Sequence, residues 1–323
     1  MTAIRTLTQK SIKAERPINV LCFFYDGFFE RDLTKLGCNI FGSLQTSILP
    51  FNNFKDYSPP SLRYLPDNFN AFGHDVTFDM ILCNDRTKQY EQAKMFATAF
   101  HTPIIVVDHQ TYAEQLNPAN MTQIENNTPA SRYISCTTGA YETWNTEGNL
   151  IPYGIDDLSG DDVERNIDYL IIGKFLQNEL HEVKSLQDQI GVQVWGHNKD
   201  FSVPFEYYLE LVNTLKRTKV FINLGTHTGI PRELLMAMSA GCGIVTNHTS
   251  ALKYLLKDRE NALMYWNMEE IIPYSNTLMN DTKMRKSFAD QNHSIIKNSF
   301  STKTFMDGWG EVLSSLQHKA MIL

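Results

Sequence analysis

Short, uninterrupted apolar runs rich in β-branched and aromatic residues punctuate this chain, and each is followed closely by a segment of helical spacing. The run at 18–25 (INVLCFFY) ends at Asp26-Gly27 and gives way to a helical pattern over 28–36 before Gly37. Another run, 78–83 (FDMILC), leads through an amphipathic stretch at 87–100 to 102–107 (TPIIVV), which closes at Asp108-His109. Apolar runs without alternation mark strands covered on both faces, and the strand-helix-strand spacing joins them in a parallel sheet. A further strand at 132–136 runs toward a helix near 138–146.

The rhythm then restarts. The stretch 149–156 (NLIPYGID) carries the Pro, Gly and acidic residues of an interdomain join. After it come a strand at 169–172 with Gly173, a helix at 181–189, a strand at 192–195 with Gly196, a helix at 205–216 and a strand at 220–224. A helix over 232–240, a strand at 243–246 and a helical C-terminal stretch complete the series. Two doubly wound α/β halves are the expected architecture, and 323 residues with 42% apolar content can supply a core for each. Residues 49–70, rich in Pro, Asn and aromatics, read as a loop too long to be a simple connection, and such loops usually serve function.

Composition narrows the function classes. A net charge of −7 argues against a polycation that grips nucleic acid or anionic membrane by bulk charge. The five cysteines, Cys22, Cys38, Cys83, Cys136 and Cys242, include no CxxC pair and no zinc-like spacing with His, so a reducing compartment and no structural metal are expected. No apolar run reaches the roughly 20 residues needed to cross a bilayer, and 1–17 is polar with no apolar signal core. We expect a cytoplasmic protein, in the host cytoplasm if the source is viral, with no stable membrane insertion.

The most informative segment is 221–247 (FINLGTHTGIPRELLMAMSAGCGIVTN), where a strand feeds a Gly-containing polar loop, then a helix, then another strand. Ligands of open α/β sheets bind beyond the carboxyl ends of strands, and the free N–H groups of a helix start suit a phosphate. Gly229 permits close approach, Pro231 starts the helix, and Arg232 places a cation in the first turn, where the helix dipole disfavours it unless an anion is near. An ordinary loop-to-helix turn with a solvated arginine is the competing reading.

The stretch from Thr228 to Val245 (TGIPRELLMAMSAGCGIV) resembles the donor-site signature of glycosyltransferase family 4 and its GT-B relatives, EGxPxxLLEAMAxGxPVV. Downstream, 249–253 and 260–264 (ENALM) resemble the family's glycine-bearing turn and its dGeNGlL element, and upstream 151–156 (IPYGID) resembles its IPNGVD linker. The resemblance implies two Rossmann-like domains facing across a cleft, over 1–156 on the acceptor side and 157–300 on the donor side, with a helix over 301–323 packing back on the first domain. It implies transfer of a sugar from a nucleoside diphosphate, a UDP-sugar first of all, with retention and without metal or other cofactor.

Residue by residue, the resemblance places Gly173-Lys174 where the family has a Gly-Arg against the donor diphosphate, and Gly229, Ile230, Pro231 and Arg232 in the phosphate loop. His197 and His227 fall near the nucleotide and diphosphate, and His109 at the family's acceptor-side histidine. The family's paired glutamates fall on Thr228 and Met236. Thr228 is then a polar group at the donor sugar, and Glu233, one turn before Met236, is placed to take the ribose, with a helix-start role as its alternative. The acceptor is expected near Asp26-Gly27, the 49–70 loop and Asn84-Asp85-Arg86. Polysaccharide, small-molecule, protein and nucleic-acid acceptors stay open. Among the last is a hydroxymethylated DNA base, as used by the compact GT-B enzymes of bacterial viruses, against which the acidic balance argues. A sugar-nucleotide epimerase of the same fold and a catalytically degenerate sugar-nucleotide-binding module are the alternative functions, and the oligomeric state is open.

Overall fold

The chain divides into two units, one comprising 1–53, 58–154 and 302–323, the other 54–57 and 155–301. The computed structural model describes residues 16–48, 54–66, 76–110, 118–144, 148–160, 163–173, 179–196, 205–225 and 229–320.

In the first unit β1 (Asn19–Phe23) leads into α1 (Phe28–Thr34), β2 (Asn39–Gly42) and β3 (Leu62–Tyr64). There follow β4 (Met80–Cys83), α2 (Tyr90–Phe100), β5 (Ile104–Asp108), α3 (Pro118–Asn127), β6 (Arg132–Ser135), α4 (Thr138–Thr143) and the short edge strand β7 (Asn149–Leu150). Among the described residues these strands make one parallel sheet in the order β3-β2-β1-β4-β5-β6-β7. Every residue of β4 and β5 is buried, as unalternating apolar strands in a two-sided parallel sheet must be. Helix α2 lays Tyr90, Ala93, Phe96, Ala97 and Phe100 on the sheet at helical spacing, against Phe23, Ile81 and Val106. The sequence reading has no β2, and β3 lies inside the stretch expected to be loop. Both are four residues or fewer, and sheet neighbours hold them more than any pattern of their own.

The second unit runs β8 (Ile167–Ile172), α5 (Glu179–Ile190), β9 (Gln193–Trp195), α6 (Tyr208–Lys216), β10 (Thr218–Asn223), α7 (Arg232–Ser239), β11 (Gly243–Asn247), β12 (Leu263–Tyr265), α8 (Ile271–Asn280) and α9 (Thr282–Ser299). Its parallel sheet has the order β12-β11-β10-β8-β9. Val220, Ile222, Val245 and Leu263 form the sheet's share of a core that α5, α8 and α9 cover with residues such as Val183, Leu278 and Phe288. Helix α7 is buried along most of its length, from Arg232 and Leu234 to Ser239.

Residues 54–57 belong with this second unit through a compact set of bonds. Lys55 N–H donates to the Glu206 carbonyl at 2.9 Å, and its ammonium pairs with the Glu206 carboxylate at 2.5 Å. Asp56 accepts from the Tyr208 and Leu209 N–H groups at 2.6 and 3.0 Å, capping α6, and Tyr57 stacks on Tyr208 at 4.5 Å.

The last helix, α10 (Thr302–Ala320), belongs to the first unit. Its Phe305 and Trp309 are buried edge-on against Phe29 of α1, at ring separations of 6.1 and 5.9 Å.

Candidate functional site

In each sheet the strand order reverses at one point, between β1 and β4 in the first unit and between β8 and β10 in the second. In open α/β sheets the loops leaving the strand ends at such a point diverge and open a crevice. The first such crevice is bounded by Tyr25, Asp26 and Gly27 after β1 and by Asn84, Asp85 and Arg86 after β4. With His109 and Gln110 after β5 they surround a shallow pocket, whose lining is Tyr25, Ile48, Asn84, Asp85, Arg86, Asp108, His109 and Gln110.

The pocket floor is a bonded polar layer. Asn84 donates its amide to the Phe23 carbonyl at 2.7 Å, which leaves its Oδ1 to accept from His109 Nε2–H at 2.9 Å. In the neutral ring the other nitrogen of His109 accepts from the Tyr153 hydroxyl at 3.0 Å. The imidazole is 2% exposed and lies flat on Tyr25, centroids 3.7 Å apart. Both nitrogens of His109 are thus engaged inside the unit. Burial pushes the phenols of Tyr25 and Tyr153 well above the ordinary tyrosine value, so both stay protonated donors.

Around the β1–α1 turn, Asp26 Oδ1 accepts from the N–H groups of Phe28 and Phe29 at 2.9 and 3.0 Å. Glu30 accepts from Tyr25 and Gly27 N–H at 2.5 and 2.7 Å, which bends the turn back on itself around Gly27 with φ 91°. Gln89 ties three loops together, donating to the carbonyls of Phe24 and Thr46 and accepting from Asn84 N–H at 2.8 Å. Behind them Arg86 forms a two-pronged pair with Asp108, at 2.8 and 2.5 Å, and lies between the Tyr133 and Trp144 rings. Burial raises the Asp108 carboxyl and Arg86 pulls it back down.

Of the acceptor-side residues expected from sequence, His109, Asn84, Asp85 and Arg86 line this pocket, and Asp26 stands in the adjoining β1–α1 turn outside the lining. Glu30, Gln89 and Tyr153 escaped notice as site residues. Only Glu30 had a readable signal, three residues after Gly27 at capping-box spacing.

In the second unit the start of the loop after β10 is fixed. Asn223 donates to Thr246 Oγ1 at 2.9 Å, its own carbonyl accepts from the Tyr265 hydroxyl at 3.1 Å, and Asn247 donates to the Gly225 carbonyl at 3.0 Å. Gly229 and Ile230 then lead into α7, whose N-cap Pro231 makes no side-chain capping bond. Ile230 is buried, and Arg232 is only 7% exposed at the first helical position. Glu233 follows, partly exposed, and Met236 is buried at 2%. Gly173 closes β8 beside this loop, and its carbonyl lies 1.8 Å from where a Cβ on Gly196 would sit, so β8 and β9 end in backbone contact. Lys174, His197, His227 and Thr228 lie outside the described residues.

Residues 166–309 match the family model described as Glycosyl transferase-like, so a glycosyltransferase domain occupies that segment. No curated protein sequence matches the chain significantly. Among solved structures it is similar to Anabaena HepE in complex with UDP-glucose, with a TM-score of 0.64 and 14% identity over 92% of this chain and 100% of that one. Sucrose-phosphate synthase from Thermosynechococcus elongatus aligns with a TM-score of 0.66 and 11% identity, covering 94% of this chain and 99% of that one. A glycosyltransferase from Rickettsia africae ESF-5 gives 0.58 and 10%, with 94% and 99% covered.

The fold is GT-B. In GT-B terms each unit is one Rossmann-like domain. Among the described residues no helix is long and apolar enough to cross a membrane, and no group of three or more His, Cys, Asp or Glu could hold a metal ion.

Proposed function

We propose that this chain is a cytoplasmic glycosyltransferase that moves a sugar from a UDP-sugar to an acceptor hydroxyl, with retention at the anomeric carbon and without a metal ion. The second unit takes the donor and the first the acceptor. One observation carries the donor assignment: the start of α7, uncapped by Pro231 and with Arg232 buried in its first turn, stands at the end of the switch-point strand β10. The N–H groups of a helix's first turn, together with a guanidinium there, suit a diphosphate.

When the sugar leaves, negative charge grows on the diphosphate oxygen. Donors from Arg232, Lys174 and the first turn of α7 lower the barrier by meeting that charge. Gly173, Gly229 and Ile230 bring backbone close to the phosphates, His197 and His227 flank the nucleotide, and Thr228 orients the sugar. Glu233 takes the ribose hydroxyls, because Met236, buried and apolar, cannot accept them. Retention rests on the family 4 resemblance of 228–245.

In the first unit, Asp26 and the Tyr25–His109 stack shape the acceptor pocket. His109 acts as a positioning group, because neither ring nitrogen is left to carry a proton to substrate. The choice of UDP-glucose as first donor is supported by the HepE structure, which contains it.

Calorimetric titration with UDP-, GDP-, ADP- and TDP-sugars in the presence of a chelator tests this reading. Saturable binding of a UDP-sugar is expected, weakened by about 1–3 kcal/mol in Arg232→Ala. Equal donor affinity in that variant would remove the diphosphate assignment, and a requirement for divalent metal would remove the metal-independent mechanism.

A further inference from the structure

Trp266 is 75% exposed, the highest value among the exposed large apolar side chains of the described residues. Leaving an indole in water forgoes its burial energy, yet this one is held in place. One face stacks on His248, with centroids 4.0 Å apart and planes inclined by 13°. Its backbone N–H and that of Asn267 both donate to one oxygen of Glu270, at 2.7 and 3.1 Å. His248 N–H in turn donates to the Tyr265 carbonyl at 3.2 Å, so the ends of β11 and β12 carry the two rings as one rigid unit. The residue before His248 is Asn247, which holds the β10–α7 loop through Gly225.

We infer that the outer face of Trp266 is a surface subsite on the second unit for a neutral pyranose ring of a saccharide, separate from the acceptor pocket of the first unit, an inference that rests on the sugar-transfer reading above. A pyranose presents a face of weakly positive C–H bonds that matches the negative face of an indole, and a platform already fixed loses little entropy on binding. Charge selects against the other flat ligands. Glu269 and Glu270 follow within four residues of the indole, and their negative charge disfavours the phosphates of a nucleotide or nucleic acid at this end of the sheet, whereas a neutral sugar meets no such repulsion.

The test uses the full chain, with maltopentaose, cellopentaose and chitopentaose as probes, read by saturation-transfer NMR and calorimetry. At least one is expected to bind the wild type. Trp266→Ala should weaken that binding at least about tenfold, and Trp266→Phe, which keeps a flat ring, should restore most of it. Melting curves of both variants confirm folding. Binding of none of the three, or equal binding in Trp266→Ala, would overturn the inference, as would Trp266-dependent binding of octathymidylate in their place. A parallel titration with UDP-glucose separates the two readings. Loss of donor binding alongside Trp266-dependent saccharide binding sinks only the transferase, and the reverse sinks only the subsite.

Discussion

Glu30 illustrates how one buried carboxyl couples a turn to solution conditions. Its acidity is shifted up to about 7, first by burial and then by the charge of neighbouring Asp26, against an ordinary 4.5. Because the folded value exceeds the unfolded one, the fold favours the protonated acid. That contribution is complete below the unfolded value and is lost as pH rises through the folded one. Between about pH 5 and about pH 8, urea unfolding should show the wild type losing on the order of 2 kcal/mol relative to Glu30→Gln. A pH-independent difference would show that Glu30 is ionised throughout. His109 is bound on both nitrogens, and replacing it by Leu takes the imidazole from Asn84 Oδ1 and from the Tyr153 hydroxyl. We expect a stability loss of about 2–4 kcal/mol, read from chemical denaturation. A neutral result would mean that water readily takes over both bonds.

At the scale of elements, the ends of β8 and β9 offer the sharpest expectation. Gly196 has φ 154° and its missing Cβ would fall 1.8 Å from the Gly173 carbonyl, a backbone atom that cannot swing aside. Gly196→Ala should therefore cost roughly 2–4 kcal/mol in thermal or urea unfolding, and a wild-type melting temperature would contradict the contact. The same scale shows what the sequence made legible. Strands β1, β4, β5, β8 and β10 announce themselves as apolar runs because their central residues are covered on both faces of the sheet, with polar residues such as Asn19, Asp168 and Lys219 near their ends. The short strands β2 and β3 carry too few residues for any period and owe their form to neighbours distant in sequence. The family resemblance points to the Asp26 and Asn84 loops, and the rule that ligands gather beyond strand ends points to the β10–α7 loop; both need only the positions of loop residues. Neither could find Gln89 or Tyr153, whose roles come from partners 43 to 65 positions away.

For the whole molecule, the first unit is assembled from three stretches of chain, and the second lies almost entirely between the last two of them. The polypeptide crosses from one unit to the other at 53/54, 57/58, 154/155 and 301/302. A chain ending at Ser301 should keep the second unit folded while the first exposes Phe29, and proteolysis should cut 16–154 of that product selectively. Uniform resistance would show that α10 is dispensable. The order of synthesis gives this arrangement a further meaning. A ribosome delivers residues from the N-terminus, so 155–301 can fold while the first unit still waits for Phe305 and Trp309. The half made first is the half finished last, and until α10 emerges the apolar face around Phe29 is a natural target for chaperones that hold nascent chains.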